Sequence, residues 1–159
     1  MEKWIKSIDP TQYNIEGAFS EFNSIPLRNK NSVNIGDIFY LYLSSEGYQY
    51  LGYKTEVINK FEGSSEKLWD QKYNCKLKKY KGKFIEVKLI NRFDSELFTL
   101  DIISKYGIKK ESLKGPQKIS SKKELCEYID NVEKKIEQEN KNYILEKIKK
   151  DEEYIILTS

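Results

Sequence analysis

The chain has 159 residues, 33% charged and 38% hydrophobic, with a formal net charge of +3 and no histidine. That length suits one domain with an appended arm, and no apolar run approaches the roughly 18 residues of a membrane span. Without histidine, Ser-His-Asp and Cys-His catalysis and histidine metal sites are excluded, and the commonest general base near neutrality is missing. The expectation is therefore a non-enzyme with no catalytic residue, cofactor or metal. Met1-Glu2-Lys3-Trp4 has no signal-peptide core, which points to the cytoplasm. Cys75 and Cys126 lack metal-binding or disulfide-framework spacing and read as ordinary thiols.

The charge is unevenly spread. Residues 1–119 carry 20 basic and 15 acidic side chains, and residues 120–159 carry 8 and 10. Nine basic residues fall within 67–92 against Asp70 and Glu86. Such a block attracts phosphates without reading sequence.

In chain order, Lys3 to Ile8 reads as a strand. Asp9-Pro10-Thr11 signals a helix start, with Tyr13, Ile15, Phe19 and Phe22 following at helical spacing to about residue 23. Residues 24–35 read as loop. Asp37 to Ser44 is a buried strand, and Tyr48 to Asn59 pairs with it as a hairpin. Residues 64–72 suggest a short helix holding Trp69. Lys83 to Phe93 alternates as a strand. Asp94 to Tyr106 reads as a helix ended by Gly107, and Ser112 to Ser120 as loop. Ser121 and Glu124 form a capping-box pattern ahead of Leu125, Ile129, Val132 and Ile136. Asn140 and Asn142 suggest a break before a second helix at 143–150, and Tyr154 to Thr158 suggests a last strand. These elements predict an α+β fold: a small, mostly antiparallel barrel over 1–120, then helices and a short strand over 121–159.

Three stretches resemble one superfamily. They are Trp4-Ile5-Lys6-Ser7 with Asp9-Pro10 and Tyr13-Asn14, then Asn34 to Ser44 with its Gly36-Asp37 turn, then Tyr50 to Val57 with Gly52. Their order is similar to the EVE/YTH-like domains of the PUA-like superfamily, which include the recognition modules of modification-dependent, McrBC-type restriction systems. Gly107-Ile108 to Gly115-Pro116 also resembles the loop before the closing EVE helix. The resemblance implies a PUA-like barrel that seats one flipped, modified base, with methylated DNA as the expected target. A motor or nuclease would then lie in another chain or domain. The same fold class includes RNA-binding PUA and ASCH modules, and a protein-interaction role is a further alternative.

A flipped base needs aromatic walls, polar groups for its edge and a basic rim. The base-pocket candidates are Trp4, Ser7, Asp9, Asn14, Tyr42, Ser44, Tyr53 and Trp69. The phosphate candidates are Lys6, Lys54, Lys72, Lys76, Lys78, Lys79, Lys81 and Lys83. Lys6, Ser7 and Ser44 transfer best from the resemblance. Where many relatives place a tryptophan after the first helix, this chain reads Ile25-Pro26-Leu27-Arg28.

Overall fold

The computed structural model describes residues 1–75 and 78–158, the side chains of 157 and 158 excepted. The chain forms two compact units, Met1–Lys123 and Glu124–Ser159.

The first unit is built on a six-stranded mixed sheet. Its strands are β1 (Lys3–Ile8), β2 (Ser24–Arg28), β3 (Ile38–Leu43), β4 (Tyr50–Ser64), β5 (Lys81–Arg92) and β6 (Gln117–Lys118). The order across the sheet is β2-β5-β4-β3-β1-β6. β1 runs parallel to β3, with Trp4 opposite Phe39, and every other pairing is antiparallel.

The expected closed barrel is not formed. β2 and β6 remain as edges, so the sheet is open. It is nevertheless strongly curled. A flat sheet would hold β1 and β2 roughly 19 Å apart, at ~4.8 Å per strand, yet both line one cleft. The register shifts along β4 and β5 account for the bend. Gly52, Ile58 and Ile90 are each passed over in the pairing, and bulged residues bend a strand and increase its twist. At Gly52 the room is small: a Cβ would lie 3.1 Å from Leu43 Cδ1.

Side chains of β3 alternate between two apolar layers. Phe39, Leu41 and Leu43 join the main core with Trp4, Ile15, Phe19, Ile25, Ile85 and Val87. On the other side Tyr40 stacks on Phe93, which meets Phe98 edge-on. The first helix, α1 (Ile15–Glu21), buries Ile15, Ala18 and Phe19. It starts later than Asp9-Pro10 suggests. Asp9 closes a turn, accepting from the Thr11 backbone N–H at 2.9 Å, while Asn14 caps α1 by accepting from Gly17 N–H at 3.0 Å.

Three further differences from the sequence reading have physical causes. Residues 24–28 form β2 rather than loop. Pro26 hides this strand, but an edge position tolerates a residue without an N–H. The expected helix at 64–72 reduces to two single turns, Ser65–Lys67 and Gln71–Tyr73. The expected helix at 94–106 shortens to α2 (Leu100–Ser104), capped by Thr99.

The second unit is formed by helix α3 (Lys123–Thr158) from Glu124 onward. It replaces the expected pair of helices and final strand. Asn142 does not break it, because its side chain accepts from Gln138 Nε2 at 3.0 Å one turn away. Tyr154 to Ile156 have β-forming side chains but lie in the last turns of this helix. No described helix is long and apolar enough to cross a membrane.

Candidate nucleic-acid interface

The first unit carries a cleft of about 550 Å3. Its walls come from the end of β1 (Lys6, Ser7, Ile8), from β2 (Pro26, Leu27, Arg28), from the β4–β5 connection (Leu68, Asp70, Lys78, Tyr80) and from Lys114 ahead of β6. This is the size range of small-ligand pockets, roughly 300–1,000 Å3. One nucleotide can enter; a duplex cannot.

The lining sorts by depth. Its exposed members are Arg28, Lys30, Asn31, Lys78 and Lys114, four of them cationic. Its buried members are Tyr13, Pro26, Leu27, Asp70 and Phe84. A cationic rim therefore stands over a mainly apolar floor that holds one carboxylate.

The aromatic part is fixed by local structure. Arg28 lies over the Tyr80 ring, its Cζ 3.7 Å from the centroid. Tyr80 meets Phe84 edge-on at 5.3 Å, and Phe84 stacks on Phe61 at 5.6 Å. Two bonds clamp Tyr80. Its N–H donates to Ser65 Oγ at 2.9 Å, and Ser65 N–H donates to the Tyr80 carbonyl at 2.8 Å. Gly82 leaves room for the ring, since a Cβ there would lie 2.7 Å from Tyr80 Oη.

The polar floor is the Tyr13–Asp70 pair. Tyr13 Oη donates to Asp70 Oδ2 at 2.6 Å, and both residues are buried. Burial raises the Asp70 carboxyl above its ordinary value, against the opposing effect of the Tyr13 hydrogen bond. Burial and the neighbouring Asp70 together push the Tyr13 phenol far up, so it stays a donor. Nearer the mouth, Ser7 Oγ donates to the Leu113 carbonyl at 2.5 Å. Asp9 Oδ1 accepts from Thr11 Oγ1 at 2.6 Å.

Of the base-pocket candidates, Ser7 and Asp9 line the cleft. The other six lie elsewhere. Trp4 is in the core, stacked on Phe39 at 5.7 Å with its indole N–H donating to Asp37. Asn14 is occupied as the α1 cap. Tyr42 is buried, and its hydroxyl has no partner among the described residues. Ser44 ties the end of β3 to the Ile8 carbonyl. Tyr53 is buried and donates to Glu16, which also pairs with Arg92. Trp69 packs on Phe61 and donates to the Ser24 carbonyl at 2.9 Å.

Of the phosphate candidates, Lys6 and Lys78 line the cleft. Lys72 pairs with Glu21 and Lys79 with Glu66, each at 2.6 Å. Lys54 sits on β4 opposite Tyr40, and Lys81 opens β5. Lys83 borders a neighbouring depression of about 350 Å3 with Lys30 and Lys60. Lys76 lies outside the described residues. Among the described residues no group of three or more potential ligands could hold a metal, and Cys75 and Cys126 are not in disulfides.

The sequence reading did not single out Arg28, Lys30, Tyr80, Phe84, Asp70 or Lys114 as site residues. One signal was present: Ile25-Pro26-Leu27-Arg28 stands where the resemblance expects a tryptophan, and three of these four residues line the cleft.

No family profile and no curated protein sequence matches the chain. Solved structures do. A hypothetical protein from Leishmania major superposes with a TM-score of 0.58 at 16% identity, over 85% of this chain and 97% of its own. ASCH from Zymomonas mobilis gives 0.56 at 10% identity, over 82% and 94%. A protein from Pseudomonas syringae gives 0.54 at 14% identity, over 76% and 93%. The chain has an ASCH-like fold. ASCH is a PUA-like fold, so the likeness agrees with the sequence resemblance at that level. At these identities it speaks for the fold, and what the cleft does rests on its own residues.

Proposed function

We propose that the chain is a non-catalytic nucleic-acid reader that seats one unpaired nucleotide in the cleft, with single-stranded RNA as its target. The observation that carries this reading is the depth sorting of the lining: four exposed cations over a buried aromatic and apolar floor. The cations suit a phosphate backbone, and the Arg28–Tyr80 stack offers a face for a base. Among the described residues, none in the lining is both apolar and exposed. Among the described residues, then, nothing in the lining is placed as a wedge to fill the gap that an extruded base leaves in a duplex. An already unpaired nucleotide avoids the unstacking cost of a few kcal/mol.

A second reading keeps the expected EVE/YTH role, a flipped methylated base in DNA read for a restriction system. The presence of Lys6 and Ser7 in the lining favours it, because these residues transfer from the resemblance.

Fluorescence anisotropy at two salt concentrations separates the two. The panel is single-stranded RNA, matched single-stranded DNA, and duplex DNA with unmodified, 5-methylcytosine, 5-hydroxymethylcytosine or N6-methyladenine sites. The expected result is salt-sensitive binding, tightest to single-stranded RNA, with the RNA recovered intact. Tightest binding to one modified duplex would install the second reading. No binding at low salt would overturn both and favour a protein-interaction role.

A further inference from the structure

Asp70 is the feature of the cleft that nucleic-acid binding in general does not explain. It is a carboxylate only 5% exposed, set in the floor of a site whose rim is cationic. Yet among the described residues no cationic side chain pairs with it, and the Tyr13 hydroxyl is its one side-chain donor. An ionised carboxylate has about four acceptor positions. Tyr13 and the Asp70 backbone N–H account for two. The acceptor positions that remain border the cleft, where a ligand carrying N–H groups can reach them.

The four bases differ in what they can bring. An ionised carboxylate only accepts, so any acceptor on the base beside the bonded donor is repelled. Uracil presents its single N–H between two carbonyls. Cytosine and adenine each present an amine next to a bare ring nitrogen. Guanine presents two donors side by side, N1–H and the N2 amine, spaced for the two oxygens of one carboxylate. Hydrogen bonds to a charged acceptor are about twice as strong as neutral ones.

We infer that Asp70 makes the cleft select guanine, accepting N1–H and the N2 amine while the base lies near the Arg28–Tyr80 stack and the rim cations hold its phosphates. Tyr13 is a positioning residue: its hydroxyl donates to Oδ2 and fixes the carboxylate plane. This inference rests on the proposed nucleic-acid reading and adds the identity of the base.

The test uses the whole chain and fluorescein-labelled RNA pentamers of uridine whose central residue is uridine, adenosine, cytidine, guanosine, inosine or 1-methylguanosine. The central guanosine is expected to bind at least about tenfold tighter than the all-uridine pentamer, the scale of one good bidentate base contact. Inosine lacks the N2 amine and should fall between them. 1-Methylguanosine lacks N1–H and should bind like uridine. Asp70→Asn should erase the guanosine advantage and favour a central xanthosine, whose C2 carbonyl accepts from an amide. Equal binding of all pentamers, or a preference for adenosine or cytidine, would overturn the guanine inference and leave the nucleic-acid reading standing. Failure of every pentamer to bind at low salt would overturn both. The base-analogue series needs only the parent protein, so the outcome does not depend on whether the variant folds.

Discussion

At Asp37 a single buried carboxylate gathers three donors. It accepts from the Glu2 backbone N–H at 2.9 Å, from the Asn34 backbone N–H at 3.1 Å and from the Trp4 indole N–H at 3.2 Å. The residue thereby joins the start of β1 to the turn before β3. Burial acts to raise its carboxyl, but the donated N–H groups outweigh that effect and hold it below the ordinary carboxylate value. A carboxyl lowered by folding contributes stability that is fully present above its unfolded pKa, about 3.9. That contribution is lost as pH falls through the folded value. Asp37→Asn keeps the shape but turns one oxygen into an amide that cannot accept. It should cost about 2 kcal/mol at pH 7, the scale of a buried donor left unpaired. Urea unfolding at pH 7 and pH 3 checks this: the gap between parent and variant should narrow at the lower pH. Gly17 shows another residue-level constraint. A Cβ there would lie 2.8 Å from Tyr73 Cε1 and 2.6 Å from Asn14 Nδ2. Glycine weakens the sequence signal for α1, and packing is why it is there.

At the scale of elements, legibility followed local pattern. β1, β3, β4 and β5 were readable because apolar and β-forming side chains recur along them, unbroken in β3 and interspersed with polar residues in the other three. β2 was not, because Pro26 reads as loop and its edge position is a tertiary fact. The site was harder still. The lysine run drew attention to Lys72 and Lys79, but acids on distant segments, Glu21 and Glu66, sit against them. Arg28 and Tyr80 meet only because β2 and the β4–β5 connection close on one cleft, and no spacing encodes that. Helix α3 shows the same limit in reverse. Leu125 and Ile129 are fully buried, whereas every described side chain after Ile136 is exposed. Local stability follows burial, and a helical stretch without packed side chains is marginal. Hydrogen exchange should therefore be graded along α3. Amides near 126–133 should be protected well above those beyond 140, which should exchange at rates near those of a free helical peptide. Uniform protection to residue 156 would show that the distal half is covered in solution.

Over the whole molecule the net charge of +3 conceals the arrangement that matters. The basic excess lies in residues 1–119, and within it the rim cations Arg28, Lys30, Lys78 and Lys114 converge on one mouth. Residues 120–159 carry more acid than base. For single strands the slope of log K against log salt is about −0.7 per neutralised phosphate. Three or four rim contacts thus predict a slope of about −2 to −3. Replacing Lys78 and Lys114 together with alanine should remove about 1.4 from its magnitude. All sequences should weaken alike, because phosphate contacts position without reading bases. The matched pair Lys72→Ala and Lys79→Ala should change the slope less, since Glu21 and Glu66 already answer those charges. The Lys147→Ala and Lys149→Ala pair on α3 should leave it unchanged. A larger loss from the Lys72 and Lys79 pair would move the phosphate track off the cleft and onto the lysine run itself. The salt series on these three double variants therefore decides whether the count of lysines or their convergence governs binding.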